Sequence, residues 1–224
     1  MASYPSTVAS TTRSSALATN KVLRNTYLLL GATLAFSALT AGVSMLLNLP
    51  HPGILITLVG YFGLLFAVTK TQNSSWGLLF IFLLTGFMGL TLGPIVSMYL
   101  KFLPNGAEVV TTALGVTAAT FVGLSAYAVK SQKDFSFMGG FLTVGIIGAF
   151  LLGLVAVFFN MPTLSLVVSG VFVIAMAGLI LYQTSAIIHG GETNYIMATV
   201  TLYVSIYNLF TSLLHLLGAA SGDD

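Results

Sequence analysis

The sequence predicts an all-α integral membrane protein with seven transmembrane helices, six of them packed around a central seventh. Hydrophobic residues make up 57% of the 224 residues and charged residues only 5%, whereas an ordinary soluble domain has about 25% charged residues. The five carboxylates lie at the ends of apolar runs or between them, which avoids the cost of several kcal/mol for a charge at mid-bilayer. Seven apolar runs follow one another, each close to the roughly 20 residues needed to cross a hydrocarbon core about 30 Å thick.

Short connections rich in helix-ending residues separate these runs. Proline, asparagine, serine and glycine stand in the connections, so consecutive helices should be antiparallel neighbours. The second run is the shortest, and six full crossings with one re-entrant segment is the alternative. The predicted spans are 26–47, 53–69, 76–100, 108–129, 137–159, 163–188 and 195–217.

Two short segments flank the predicted bundle of residues 26–217. Residues 1–25 contain no acidic residue, are rich in serine and threonine, and lack the apolar core of a signal peptide. They are predicted to form a flexible cytoplasmic tail, with a mitochondrial targeting peptide as the alternative, because such peptides are also serine-rich and acid-poor. Residues 218–224 are predicted to form a short extracytoplasmic tail.

Basic residues predict the orientation, because lysine and arginine in short loops are retained in the cytoplasm. With seven crossings, six of the seven basic residues fall on the side of the amino terminus and only Lys101 falls on the other. The amino terminus is therefore predicted in the cytoplasm and the carboxyl terminus outside it. The basic residues serve as anchors in this interpretation, so the expected partner is the lipid bilayer and no nucleic-acid surface is predicted.

The chain lacks the residue patterns of a catalytic or metal site. It has no cysteine, which excludes thiolate ligands, and its three histidines are too far apart for a ligand pattern on one helix. No HExxH, GxSxG or P-loop pattern is present, and only Ser212 has a histidine, His215, close to it in the same span. The sequence predicts no enzyme, no metal site and no cofactor.

Two spans carry polar residues on one face at steps of four, three and four. Polar groups in hydrocarbon must find hydrogen-bond partners, so both faces are predicted to point inward, and the seventh helix is placed at the centre. The residues are Thr33, Ser37, Thr40 and Ser44 in the first span, and Thr201, Ser205, Asn208 and Ser212 in the seventh, with Tyr203 and Tyr207 close by.

Small residues four apart let helix backbones approach closely in a membrane. Close packing is therefore predicted for the third, fourth and fifth spans. Pro94 lacks an amide hydrogen and is predicted to kink or break the third helix near its outer end. A discontinuous helix that lines a pathway is the alternative. The spacings are Gly89 and Gly93, then Gly115, Ala119 and Gly123, then Ala149 and Gly153.

The connection before the seventh span combines residues that end and start helices. Gly190 and Gly191 are predicted to end the sixth helix with a positive φ, and Thr193 or Asn194 to cap the seventh. Glu192 lies beside the positive end of the seventh helix dipole. His189 and Glu192 together are interpreted as a candidate pH-sensitive latch on the cytoplasmic side.

Three stretches resemble one bacterial branch of the Bax inhibitor family of seven-helix membrane proteins. The resemblance covers nearly the whole chain apart from the tail. It implies a fold of six helices around a central seventh and a location in the bacterial inner membrane. The stretches are residues 21–27, residues 135–140, and residues 188–195 followed by Ala198, Thr199 and Val200.

The resemblance also implies a partner. That branch is associated with the membrane-anchored, ATP-dependent zinc protease FtsH, which it binds and restrains while being a slow substrate itself. The implied function is modulation of an FtsH-type protease in membrane-protein quality control. The implied partners are that protease and the membrane proteins associated with it. A pulling protease needs a free segment to grasp, and residues 1–20 are the candidate.

Other members of the family are pH-dependent calcium leak channels, in which two aspartates of the sixth and seventh helices form a closing latch. Matched through the flanking residues, those positions hold Gln183 and Ser205. Neutral oxygens bind calcium weakly and neither side chain titrates near neutrality. The alternative function, a leak channel or transporter for calcium or another small cation, would use a polar seam of Gln183, Tyr203, Ser205 and Asn208.

Overall fold

The computed structural model describes the backbone of residues 7–222 and the side chains of residues 21–222, and this range contains seven α-helices and no strand. All seven are long and apolar enough to cross a membrane, which confirms the predicted fold class. α2 is an unbroken helix of 18 residues rather than a re-entrant segment. The helices are α1 (Thr7–Leu46), α2 (Ile54–Thr71), α3 (Ser75–Phe102), α4 (Gly106–Ser131), α5 (Met138–Phe158), α6 (Pro162–Ile188) and α7 (Tyr195–Ser221).

The first and last helices of the described range are longer than the predicted spans. α1 begins at Thr7, inside the segment predicted as a tail, because no proline or glycine interrupts residues 7–30. Its apolar span starts at Lys21, and residues 1–6 lie outside the described part. α7 extends past residue 217 to Ser221, because Gly218 in its last turn is buried against the ring of Tyr99. Residues 223 and 224 also lie outside the described part.

Left-handed residues end several of the helices. Gly190 has a φ of 76° and follows α6, and the amide of Gly191 donates to the carbonyl of Ala186 at 2.8 Å. The predicted glycine stop is therefore confirmed at Gly190, whereas Gly191 does not have a positive φ. Gln132 ends α4 with a φ of 52°. These compact stops keep the connections short and the neighbouring helices antiparallel.

The interior is shared by α3 and α7. α7 packs against α1, α3, α4 and α6, whereas α2 lies on α3 and α5 lies on α6. The buried fraction of the most apolar stretch is 50% in α3 and 44% in α7, but only 6% in α2. The arrangement is therefore less symmetric than six helices around one, because the glycine-rich face of α3 lets α1 cover it closely.

The polar face of α1 meets that glycine face of α3, as the inward orientation of Ser37 and Ser44 predicts. A Cβ atom on Gly93 would lie 2.6 Å from the Cβ of Ser44 and 2.7 Å from the carbonyl oxygen of Ala41. A Cβ on Gly89 would collide with the carbonyl oxygen of Ser37. Only glycine permits this backbone approach, so the predicted packing of the third span is confirmed.

Pro94 lies inside α3 without breaking it. Because proline has no amide hydrogen, the carbonyl of Leu90, four residues earlier, loses its helical donor. The hydroxyl of Ser44 on α1 donates to this carbonyl at 2.9 Å. The helix continues from Ser75 to Phe102, so the predicted break and the discontinuous helix are both wrong.

The small-residue spacings of α4 and α5 differ in whether they face another helix of the chain. In α4 a Cβ on Gly115 or Gly123 would meet nothing within 4 Å, and Ala119 between them is exposed. Close packing through these three residues is therefore wrong within the described chain, because they face outward and α4 contacts its neighbours through another face. In α5, Ala149 is buried and a Cβ on Gly153 would lie 3.5 Å from Val168 of α6. Packing of this helix is confirmed.

Candidate functional site

Tyr203 of α7 joins three helices in the middle of the bundle. Its side chain is 1% exposed, and its hydroxyl lies 2.6 Å from Ser37 Oγ on α1. The same hydroxyl lies 3.3 Å from the carbonyl oxygen of Thr85 on α3 and donates to it. Ser37 therefore donates to Tyr203 while Tyr203 donates to α3. The predicted inward faces of α1 and α7 meet at this point.

A second set of contacts ties α1 to α6 and α7 nearer the α6–α7 connection. The hydroxyls of Tyr27 and Thr184 lie 3.3 Å apart. Thr199 Oγ1 lies 2.7 Å from the carbonyl oxygen of Tyr195 and 3.2 Å from that of Thr26. No pattern in the sequence predicts these contacts. Their polar character at the ends of apolar spans was the available signal, but spacing within one helix does not reveal contacts between helices.

The four residues of the predicted polar seam do not bond to one another. Tyr203 turns to α1 and α3, as described above. Ser205 is fully buried and donates to the carbonyl of Thr201 on its own helix at 2.7 Å. Asn208 donates to Val204 in the same way at 2.8 Å. Gln183 is 5% exposed, and its Nε2 has no partner among the described residues. The structure therefore shows separate polar positions rather than one connected seam.

Unpartnered buried polar atoms gather at one end of the interior. Within the described side chains they are Thr26 Oγ1, Ser125 Oγ and Gln183 Nε2. All three residues lie in the third of the bundle nearest the α6–α7 connection. Buried polar atoms are nearly always hydrogen-bonded, so this end of the interior has unused bonding capacity. It contains no carboxylate or other charged side chain among the described buried residues.

A lateral cleft of about 360 Å³ opens between α2 and α5 and reaches α7. Phe62 of α2 and Phe150 of α5 both line it, and the centroids of their rings are 5.8 Å apart. Asn208 and Tyr207 of α7 form part of the inner wall, next to Thr91 of α3. Sequence spacing does not predict this cleft, since it depends on how helices that are far apart in the chain pack against one another.

No hydrogen bond or ion pair joins the two residues of the predicted latch within the described side chains. The His189 ring is bound at Nδ1 by the carbonyl of Ser185, 2.9 Å away, and its Nε2 lies 3.2 Å from the carbonyl oxygen of Gln132. Glu192 instead accepts from the amide of Asn194 at 2.7 Å. His189 therefore contacts the α4–α5 connection, while Glu192 supports the start of α7.

Asn194 is the residue that organises this end of α7. Its side-chain Oδ1 accepts from the amides of Ile196 and Met197 at 2.9 Å and 3.2 Å, which confirms the predicted cap at this position. Its Nδ2 donates to the carbonyl of Gln72 at 3.2 Å and to Asn73 Oδ1 at 2.9 Å. One side chain thus caps α7 and fastens it to the α2–α3 connection.

We expect Asn194→Ala to loosen the first turn of α7, because it removes the cap and both contacts with the α2–α3 connection. The loss of an N-cap side chain costs about 1 kcal/mol. Hydrogen exchange of the Ile196 and Met197 amides should accelerate severalfold. The control is Thr193→Ala at the exposed neighbouring position. Equal exchange rates in the two variants would contradict the role assigned to Asn194.

The α4–α5 connection is fixed by two short networks. Ser185 of α6 accepts from the amide of Phe135 at 3.0 Å and donates to the carbonyl of Lys133 at 3.1 Å. The hydroxyl and the amide of Ser136 both donate to Asp134, and with the nearby His189 they hold the pKa of Asp134 below its usual value. Stability from this turn is therefore present above the ordinary pKa of about 4 and is lost as pH falls through the lowered pKa.

His215 bonds to a different serine from the one near it in sequence. Its Nδ1 lies 2.8 Å from the hydroxyl of Ser169 on α6. Ser169 Oγ also lies 3.0 Å from the carbonyl oxygen of Ser165 and donates to it, so the imidazole N–H donates to Ser169. A serine that gives its proton to a backbone carbonyl is not being deprotonated by the histidine. The pair links α6 to α7.

Seven membrane-spanning helices, a neutral polar interior and short connections define a multi-pass α-helical membrane protein whose described interior holds no charged group. Within that class, the chain belongs to the Bax inhibitor family, because the family model described as inhibitor of apoptosis-promoting Bax1 matches residues 19–222. The matched range covers all seven apolar spans.

Close relatives cover nearly the full length of the chain. The Escherichia coli K12 protein named modulator of FtsH protease YccA is 53% identical over 212 residues, which is 94% of this chain and 95% of the relative. The same identity and coverage hold for a protein of Escherichia coli O6:H1 named inner membrane protein YccA. An uncharacterized protein of Pseudomonas aeruginosa is 56% identical over 203 residues, or 91% of both chains.

Proposed function

We propose that this protein is a multi-pass inner-membrane protein that binds and modulates an FtsH-type membrane protease and is itself a slow substrate of it. The observation that carries the proposal is the 53% identity over 94% of the chain to the Escherichia coli protein named as a modulator of FtsH protease. The identity extends through the whole bundle, so both proteins present comparable surfaces to a partner. The chain acts by binding in this proposal and carries out no catalysis.

The character of the interior supports a binding role over cation conduction. Gln183 and Ser205 stand where the family resemblance places a pair of aspartates, and both are buried and neutral. Calcium prefers six to eight oxygen ligands with carboxylates among them. Of the carboxylates that the structure describes, Glu108 lies in the first turn of α4, and Asp134 and Glu192 lie in connections. The described interior therefore has no group that would both attract calcium and respond to protons.

The proposed orientation puts the amino terminus and the α2–α3, α4–α5 and α6–α7 connections in the cytoplasm, by the distribution of basic residues. The network of Asn194 and the contact of His189 with Gln132 lie on this side. A protease that works from the cytoplasm would meet these hydrogen-bonded connections together with residues 1–20. The carboxyl terminus lies on the opposite side of the membrane in the proposal.

Co-purification from native membranes tests the partner. Three tagged forms are compared: the full chain, a form without residues 2–20, and a form in which residues 2–20 are scrambled at constant composition. We expect an FtsH-type protease to be enriched with the full chain and identified by mass spectrometry. Retention by the deleted form would place the interface on the bundle. Absence of the protease from all three would overturn the proposal.

Turnover of the same three forms tests the role of the first residues. A pulling protease needs a free segment of chain more than a defined sequence. We therefore expect the deletion to lengthen the half-life of the protein severalfold and the scrambled form to be degraded like the full chain. Overproduction of the full chain should also slow the degradation of another membrane substrate. Unchanged turnover in both measurements would count against the proposal.

The alternative function, a leak channel or transporter for calcium or another small cation, has its own readout. Purified full-length protein in liposomes should conduct calcium between pH 5 and pH 8, the range about a histidine pKa of about 6.5. Flux that falls in Gln183→Leu and persists in Thr193→Ala would support conduction through the interior. Absence of flux over this range would leave the modulator proposal as the one consistent with the neutral interior.

A further inference from the structure

The lateral cleft between α2 and α5 has apolar walls and one polar position. No charged residue lines it. Asn208 gives one N–H to Val204, and its second N–H and its Oδ1 have no partner among the described residues. The hydroxyl of Tyr207 is 3.4 Å from Thr91 Oγ1, which itself donates to the carbonyl of Met88 at 2.8 Å. The inner wall therefore retains both a donor and an acceptor for a further group.

The depth of this polar position restricts what can reach it. Asn208 stands halfway along the 27 residues of α7, about 20 Å from either end at 1.5 Å per residue. The phosphate and ester groups of a phospholipid lie at the edge of the hydrocarbon core, about 15 Å from its middle. A carboxylate at this depth carries a high cost. The matching group must be neutral and must belong to a molecule that resides within the hydrocarbon.

The walls of the cleft favour a flat ring. Aromatic rings come from five helices and surround the space on several sides. Ring systems pack in offset or edge-to-face geometry with one another, and the volume of about 360 Å³ falls at the lower end of the range for small-molecule pockets, about 300 to 1,000 Å³. The rings are those of Tyr61, Phe62, Phe87, Phe150, Phe172 and Tyr207.

We propose that the lateral cleft binds the head group of an isoprenoid quinone. A quinone is neutral, carries carbonyl acceptors on a flat ring, and has a hydrocarbon tail that keeps it within the bilayer. One carbonyl oxygen accepts from the free N–H of Asn208, and the ring lies among the aromatic side chains. The tail leaves between α2 and α5 past Phe62 and Ile147, which are 47% and 55% exposed. The proposal concerns binding alone and is independent of the modulation of a protease.

Native mass spectrometry of the full-length protein in detergent tests the proposal, with decylubiquinone as the probe. We expect an adduct of one probe per chain that an excess of palmitoyl-oleoyl phosphatidylethanolamine does not displace. Asn208→Leu should weaken the affinity about fivefold, the effect of one net hydrogen bond. The matched control is Thr211→Val, one turn later on α7, whose hydroxyl bonds within its own helix. This control should bind like the unchanged protein.

A second pair of variants tests the location without touching α7. Ile146→Trp adds a large ring to a residue that lines the cleft and should abolish the adduct. Ile174→Trp makes the same substitution on α6 at a position that is 75% exposed and outside the lining, and should leave binding intact. The proposal is overturned if no adduct of one probe per chain forms, if the phospholipid displaces it, or if Asn208→Leu and Ile146→Trp both bind normally.

Discussion

Gly89→Ala should lower the free energy of unfolding in mixed micelles by about 2 kcal/mol, within the range seen for overpacked interiors. The added methyl group would collide with the carbonyl oxygen of Ser37 and with Thr40 Oγ1 on α1, and it would lie 3.0 Å from the carbonyl carbon of Ser37. A backbone atom cannot rotate away, so α1 and α3 must separate. Separation also stretches the bond from Ser44 to Leu90 on the same face.

The control for this prediction is Gly123→Ala on α4, where a Cβ atom would meet nothing within 4 Å. Alanine is a better helix former than glycine by about 0.5 to 1 kcal/mol, so this variant should be neutral or slightly more stable. The comparison isolates the contact between helices from the intrinsic preference of the residue. Equal stabilities of the two variants would show that α1 and α3 do not approach as closely as described.

Tyr203→Ala should be the most destabilising substitution in α7, at about 3 kcal/mol. The side chain is 1% exposed and fills the junction of α1, α3 and α7. Removing the ring leaves a cavity at this junction, and it also leaves the hydroxyl of Ser37 without its acceptor. The measurement is again the free energy of unfolding in mixed micelles, followed by the loss of helical signal.

Two further variants separate the ring of Tyr203 from its hydroxyl. Tyr203→Phe keeps the ring and should cost about 0.6 kcal/mol, the average for a hydrogen bond between membrane helices. Tyr127→Ala removes the same side chain at a position that is 47% exposed on α4, and should cost less than about 1 kcal/mol. A cost for Tyr203→Ala no larger than that of Tyr127→Ala would contradict a central role for this residue.

The helices follow from the sequence because the bilayer imposes a length and an apolar composition on every span. The inward faces of α1 and α7 follow for the same reason, since their polar residues recur at helical steps. The packing of small residues does not follow. The spacing at Gly89 and Gly93 is the same as that at Gly115, Ala119 and Gly123, yet one face meets a helix and the other faces outward. Spacing records which residues share a face and carries no information on what that face meets.

The candidate site is less predictable than the helices, because most of its contacts join residues that are far apart in the chain. Asn194 could be assigned as a cap from local rules, because its partners Ile196 and Met197 follow it directly in sequence. Its bonds to Gln72 and Asn73, the bond of His215 to Ser169 and the lateral cleft all depend on residues far apart in the chain. The latch of His189 and Glu192 is an interpretation from proximity in sequence, whereas each side chain has its hydrogen-bond partners elsewhere.

Ser44 of α1 supplies the hydrogen-bond donor that α3 lacks at Pro94, and this affects the insertion of α3 into the membrane. The carbonyl of Leu90 has no donor within its own helix, and an unbonded carbonyl in lipid costs several kcal/mol. Because Ser44 belongs to α1, which precedes α3 in the chain, the donor is synthesised before α3 emerges. A permuted chain in which α1 follows α7 would expose that carbonyl to lipid throughout synthesis. The order of α1 and α3 in the chain therefore provides a donor for the Leu90 carbonyl before α3 enters the bilayer.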